Sequence, residues 1–245
     1  MAVPDGVLVL WDVDHTLVDA AGIGVRAFTV AFRQVYGREV ERVPPMAGRT
    51  DLAITLDVVR AHGLSESPEL LEEFRAATEA AFVALDADLR TVGRALPGAA
   101  AALRAMGGVA AAQSLLTGNI RLIAEAKLRA FGLDGHLDYD IGAYGWSHPV
   151  RACLVDLARA AARERHGAAF DGQRTVLVGD TPGDVEAALA TGAGVVGVAT
   201  GRYTVAALTE AGAHTVLPDL TGTDAVLDAV ARVAAQFRSG GHGLT

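Results

Sequence analysis

Cysteine occurs once in the 245 residues, at Cys153, and lysine once, at Lys127. A lone cysteine cannot close an internal disulfide, which excludes a disulfide-stapled scaffold and suits a reducing, cytoplasmic location. Aromatic residues are only 5% of the chain although apolar residues are 51%, and much of that share is alanine. A core of this kind suits Ala-rich helices packed on a sheet. No apolar run approaches the roughly 20 residues of a membrane helix, so no membrane association is expected. The amino-terminal MAVPDG lacks a basic leader, and the apolar run after it ends at Asp12. That is too short for a signal core, so no secretion leader is expected. Basic charge is scarce too, with 21 basic against 29 acidic residues and a net charge of −8. Such a balance gives no attraction to nucleic acid or anionic lipid. Every basic residue other than Lys127 is arginine, so chemistry that needs a lysine has one candidate.

The length suits one large domain, or a core with a smaller insert. Val7–Trp11 reads as a buried strand. The following segment, residues 19–94, carries helical spacing in Ala27–Val35, Leu52–Val59 and Leu70–Leu85, with breaks at Pro44-Pro45 and Gly63–Pro68. From Leu96 onward strands and helices alternate. Strands are expected at Val109–Leu116, Tyr139–Gly142, Thr175–Val178, Val195–Ala199 and Thr215–Leu217. Helices are expected at Ile120–Phe131, Val150–Arg165, Val185–Thr191, Val205–Ala211 and Ala225–Phe237, with a frayed tail from Ser239. This alternation predicts an α/β fold, a Rossmann-like parallel sheet with helices on both faces. The expected division is an α/β core of residues 1–18 and 95–245 and an inserted all-helical cap of residues 19–94. Ligands of open parallel sheets bind beyond the carboxyl ends of the strands, and an insert leaving from that edge can act as a lid.

Four segments place polar groups at strand ends. Asp12-Val13-Asp14-His15-Thr16-Leu17 follows the first strand. Two carboxylates two residues apart repel each other unless a cation such as magnesium, which takes oxygen ligands, sits between them. A carboxylate is also a competent nucleophile toward phosphorus. Alone, the pair reads equally well as a capped turn. Thr117-Gly118-Asn119, before a helix, offers a hydroxyl and amides for an anion. His148-Pro149-Val150-Arg151 supplies candidate cations for a phosphoryl group. Gly179-Asp180-Thr181-Pro182-Gly183-Asp184 ends an apolar strand, with Asp180 a candidate metal ligand and Asp184 either a support for the metal's waters or a helix cap.

Together, in order and spacing over nearly the whole chain, these motifs resemble the haloacid dehalogenase-like hydrolase superfamily. The insert resembles the small helical cap of its phosphoglycolate phosphatase and β-phosphoglucomutase branch. The resemblance implies a Mg2+-dependent phosphatase acting on a small phosphorylated metabolite. Asp12 would attack phosphorus and ligate the metal. Asp14 would bind the metal through its carbonyl and act as acid and base. Thr117, Gly118 and Asn119 would hold phosphate oxygens, and Asp180 and Asp184 would complete the metal site.

Two positions depart from that pattern. His15 stands where glycine or a small residue is usual. His148-Pro149 stands where a Lys-Pro dipeptide is usual, with Arg151 one turn on. Arg151, permanently charged and forked, is the preferred phosphate partner, with His148 second. Lys127, in the helix after Thr117, is expected to be solvated. In the polar cluster Gly48-Arg49-Thr50-Asp51, Thr50 or Asp51 is expected to cap the helix from Leu52, while Arg49 is a candidate contact to substrate. The absence of lysine from 19–94 excludes Schiff-base phosphonate cleavage, and the acidic set argues against dehalogenation. A phosphomutase, and more remotely a non-catalytic relative, stay open as alternatives. The assembly is expected to be a monomer or homodimer.

Overall fold

Short runs of Val and Leu that are apolar at every position form strands buried on both faces, and here they assemble into one parallel sheet. The computed structural model describes residues 6–239. The residues before Gly6 and the tail beyond Ser239, where a leader and fraying were considered, lie outside that range. Strand β1 (Leu8–Trp11) is followed by β2 (Val18–Asp19) and by four helices, α1 (Ile23–Tyr36), α2 (Asp51–Ala61), α3 (Pro68–Ala84) and α4 (Asp86–Val92). Then come β3 (Arg94–Ala95), α5 (Ala99–Gly107), β4 (Ala112–Thr117), α6 (Arg121–Ala130) and β5 (Ala143–Tyr144). The chain continues through α7 (Arg151–His166), β6 (Thr175–Gly179), α8 (Pro182–Ala190), β7 (Gly194–Val198), α9 (Val205–Glu210), β8 (Thr215–Leu217) and α10 (Thr223–Ser239).

Six strands pair in the order β5-β4-β1-β6-β7-β8, every pair parallel. Trp11 at the end of β1 stands opposite Leu115 on one side and Val178 on the other. Side chains alternate between faces along each strand. Val9 and Trp11 join the cluster that contains Leu103 of α5 and Val230 of α10, whereas Leu8 and Leu10 join Leu154 of α7 and Val185 of α8. The buried Trp11 indole donates to Gln113 Oε1 at 3.1 Å, and the Gln113 amide donates in turn to the carbonyls of Leu103 and His136. No polar end in this chain of contacts is left dry and unpaired, as burial requires.

The helices between β2 and β3 have a core of their own. Phe28 and Phe32 of α1 pack with Phe74 of α3, and the Phe28 and Phe74 rings meet edge to face at 5.0 Å. The chain leaves and re-enters the larger unit through the antiparallel pair β2–β3, closed by an ion pair of 2.6 Å between Asp19 and Arg94.

Two expected strands are corrected. Tyr139–Ile141 is a 3-10 turn and the strand is Ala143–Tyr144. Asp138 accepts the Asp140 N–H through its side chain, a local bond that competes with strand pairing. The strand expected from Val109 begins at Ala112, because the Val109 and Ala110 amides still bond to Met106 at the end of α5. Helix α5 is not among the expected elements. The edge of β1 also makes a stability prediction. Leu10 is fully buried on the central strand, so Leu10→Ala should cost ~2–5 kcal/mol, read as a lowered urea midpoint at unchanged slope.

Candidate active site

The strand order reverses about β1, and the crevice at the carboxyl ends of β1, β4 and β6 collects the polar segments. Asp12 follows β1 directly, and its N–H continues the sheet ladder to the Val178 carbonyl at 2.9 Å. Asp180 follows β6, and Asp184 lies in the first turn of α8. Oxygens of Asp12, Asp180 and Asp184 all lie within 4.8 Å of one another, and all three residues are buried. Arg151, the first residue of α7, reaches into this group. Its Nη2 lies 3.0 Å from Asp12 Oδ1, 2.5 Å from Asp184 Oδ1 and 3.2 Å from the Leu116 carbonyl. Its buried Nε has no partner among the described residues. Asp184 is also a helix cap, since its Oδ2 accepts from the Thr181 N–H at 3.1 Å and hydroxyl at 2.7 Å. The cap reading of Asp184 thus holds, and the same side chain also belongs to the acidic cluster. Backbone closes over Asp180, because a Cβ at Gly201 would stand 1.9 Å from Asp180 Oδ2.

Three buried carboxylates and one guanidinium leave excess negative charge. Burial pushes the Asp12 carboxyl up to about 7; Arg151 opposes this, and Asp184 and Asp14 add to it. Asp180 is pushed up to about 9, first by burial and then by Asp12 and Asp184. Burial alone would pull Arg151 down, but Asp184 and Asp12 reverse that and raise it, so it stays charged. A set of hard oxygen donors this close, short of positive charge, fits a divalent cation.

The loop after β4 forms a second layer. Thr117 Oγ1 accepts from the Asn119 N–H at 3.3 Å and its Nδ2 at 2.8 Å. Asn119 Nδ2 also donates to Asp14 Oδ2 at 2.7 Å. Lys127 is not solvated, which corrects the sequence expectation. It is 3% exposed, and its Nζ contacts Asp14 Oδ1 at 2.7 Å, Asp14 Oδ2 at 2.6 Å and Asn119 Oδ1 at 2.7 Å. Burial would raise the Asp14 carboxyl, but the Lys127 charge and its bonds, with Asn119, hold it below the usual range. A sign of this was present in the sequence. The buried face of α6 is Ile123, Ala124, Lys127 and Leu128, so helical spacing alone puts the lysine inward.

The loop before α2 lies against these core loops. The Asp51 N–H donates to the Gly118 carbonyl at 2.8 Å, the Leu52 N–H to Gly145 at 3.1 Å, and the Thr50 hydroxyl to Pro149 at 2.9 Å. Contact is so close that a Cβ on Gly118 would lie 2.0 Å from the Arg49 carbonyl. Thr50 caps α2 through the Ala53 N–H. Asp51 caps a different helix, accepting the Ile120 N–H at 2.9 Å ahead of α6. Burial pushes Asp51 up to about 6, against the Ile120 bond and Lys127. The Arg49 side chain pairs with Asp57 along α2 and lines the cavity without reaching the carboxylates. That cavity, about 580 Å³, lies between the helices and the carboxylate floor.

Of the two candidate cations, the structure brings Arg151 to Asp12. His148 instead accepts the Val150 N–H at 3.0 Å through Nδ1. His15 has a φ of 57°, the left-handed region that favours glycine, and histidine is among the few residues enriched there. Its carbonyl accepts the Thr200 hydroxyl at 2.5 Å. Lys127, Asp51 and Gly201 are site residues that sequence reasoning missed. Because Lys127 holds a partly exposed carboxylate, Lys127→Met should cost ~1–2 kcal/mol after solvent discounting. Urea denaturation measures it, and an unchanged midpoint would show that the pair is neutral to stability.

Comparison with known proteins agrees with this geometry. No curated protein matches the chain's sequence. Its fold is that of a hydrolase from Pseudomonas syringae, at 24% identity and a TM-score of 0.62 over 92% of this chain and 98% of that one. It is also that of CbbY from Rhodobacter sphaeroides, solved with phosphate, at 20% identity and a TM-score of 0.64 over 90% and 98%. A mutant of the same protein, in complex with xylulose-1,5-bisphosphate, aligns at 21% identity and a TM-score of 0.65 over 88% and 95%. The model of the haloacid dehalogenase-like hydrolases matches residues 9–189, from β1 through the last turn of α8. The chain belongs to the haloacid dehalogenase-like hydrolase family.

Proposed function

We propose that this hydrolase is a magnesium-dependent phosphatase acting on a small phosphorylated metabolite, with residues 19–94 as a cap over a core of residues 1–18 and 95–245. The observation that carries the reading is the buried Asp12 carboxylate facing Arg151 at 3.0 Å, with Asp180 and Asp184 beside it. A nucleophilic carboxylate, a fixed guanidinium and an oxygen-rich cation site are the parts that phosphoryl transfer needs. Phosphate-bound CbbY shares the fold and supports the same substrate chemistry.

In this reading an Asp12 oxygen attacks phosphorus and the bond from phosphorus to the ester oxygen breaks. The departing oxygen takes a proton from Asp14. Water then attacks the aspartyl phosphate, Asp14 takes its proton, and the bond from phosphorus to Asp12 breaks to release phosphate. Arg151, whose Nε has no partner among the described residues, would hold a phosphoryl oxygen while neutralising the nucleophile. Thr117, Gly118 and Asn119 would bound the phosphoryl group on its other side. Asp12, Asp180 and Asp184, with the Asp14 carbonyl, would hold Mg2+, which supplies charge neutralisation for the crowded oxygens. Lys127 favours the ionised form of Asp14, the form that takes a proton from water in the second step, and works against the protonated form that the first step uses.

Release of phosphate from p-nitrophenyl phosphate should require magnesium, stop with chelator, and fall at least ~1000-fold in Asp12→Asn. Full activity in Asp12→Asn would overturn the reading. At the third motif, Arg151→Ala should lose ~100-fold or more, the scale of a lost charge-stabilising donor, whereas His148→Ala should stay within about twofold. The opposite ranking would return the cation role to His148.

A further inference from the structure

The cavity changes character above its carboxylate floor. Toward the helices its wall is made of Phe28, Met46, Ile54, Phe74, Ile123 and Trp146. Two threonines interrupt this wall, and each hydroxyl has already donated its proton, which leaves it only as an acceptor. Thr55 donates to the Asp51 carbonyl and Thr78 to the Phe74 carbonyl, both at 2.7 Å. Most of the charged groups nearby are committed as well, Arg202 at the exposed side being an exception among the described residues. Arg49 is held by Asp57 and the Ala53 carbonyl, and Lys127 and Asn119 are held on Asp14. Every other arginine in 19–94 pairs with a carboxylate or a carbonyl except Arg42, which is exposed at the cavity's rim. Asp51, with one oxygen taken by Ile120, marks the border between polar floor and apolar wall.

The part of the substrate beyond the phosphoryl group must fit that wall. A hydroxyl-rich sugar would strip water from several hydroxyls and find few partners for them, which opposes binding. A carboxylate would find only two exposed guanidinium groups, those of Arg42 and Arg202. An alkyl or aryl group instead exchanges water for apolar surface, the favourable direction. The volume of about 580 Å³ leaves room for such a body beside a phosphoryl group. The geometry points to a phosphate ester of an apolar alcohol, alkyl or aryl, as the substrate class, with the apolar body seated between α1, α2 and α3. This assignment rests on the phosphatase reading and narrows it.

The test is a substrate series with the native full-length protein and magnesium. Phosphate release is measured from propyl, butyl, pentyl and hexyl phosphate, from glucose 6-phosphate, ribose 5-phosphate and phosphoglycolate, and from p-nitrophenyl phosphate as the general turnover control. The expected result is a kcat/KM that rises about threefold to fourfold per added methylene, the ratio for full burial of each. Hexyl phosphate should then exceed the sugar phosphates and phosphoglycolate by at least ~10-fold. Met46→Gln, on the loop before α2, should flatten the rise along the series. A flat alkyl series with better turnover of a sugar phosphate or of phosphoglycolate would overturn the apolar assignment, while p-nitrophenyl phosphate turnover would keep the phosphatase reading intact. No release from any ester would remove both.

Discussion

The controlling constraint is the crowding of carboxylates where β1 and β6 end. Asp12, Asp180 and Asp184 come within 4.8 Å of one another in a buried crevice. The low polarisability of such a place raises the energy of every unpaired charge. Arg151 answers part of it, and it can do so only because α7 starts beside β4 with its first side chain directed between Asp12 and Asp184. The residual negative charge appears as the upward displacement of Asp12 and Asp180. On the proposed reading, positive charge brought by a divalent ion and anionic charge brought by a phosphoryl group would be two sides of one balance here. Removal of any member shifts the demand on the others.

Around this cluster the chain uses each polar residue more than once. Asp184 caps α8 and pairs with Arg151. Thr50 caps α2 and ties it to Pro149. Asp51 joins the helical layer to the start of α6. These shared contacts couple the helical layer to the loops that carry the site, so its position is part of the site's geometry. Lys127 extends the same logic. From α6 it holds Asp14 and Asn119 at once, and its Nζ lies 5.9 Å from the Phe82 ring of α3. One buried ammonium therefore meets the anion loop, the second aspartate and the helical layer.

Polarity in the cavity is distributed by the same economy. The Thr55 and Thr78 hydroxyl protons and the Arg49 guanidinium in the helical wall are taken up by backbone carbonyls and a local carboxylate. What faces the open space is mostly hydrocarbon. On the proposed reading, chemistry would be confined to the floor and selection among substrates would fall to shape and to apolar area.

Local pattern in the amino-acid sequence determined much of this protein. Periodicity separated strands from helices because side-chain alternation is a property of the backbone. The motifs at Asp12, Thr117, Arg151 and Asp180 were visible because strand ends in a parallel sheet share one edge. Short-range pattern failed where the deciding interaction was local competition, as at Tyr139–Ile141. Only the tertiary structure shows which of Arg151 and His148 lies beside Asp12, since His148 precedes α7 whereas Arg151 opens it and is directed toward Asp12. It alone turned Lys127 from a presumed surface charge into the partner of Asp14, because burial of a charge depends on a counter-charge 113 residues away in the chain. Asp12 and Asp14 were legible as a pair from spacing. What each carboxylate faces, guanidinium for one and ammonium for the other, is set by contacts that no local pattern contains.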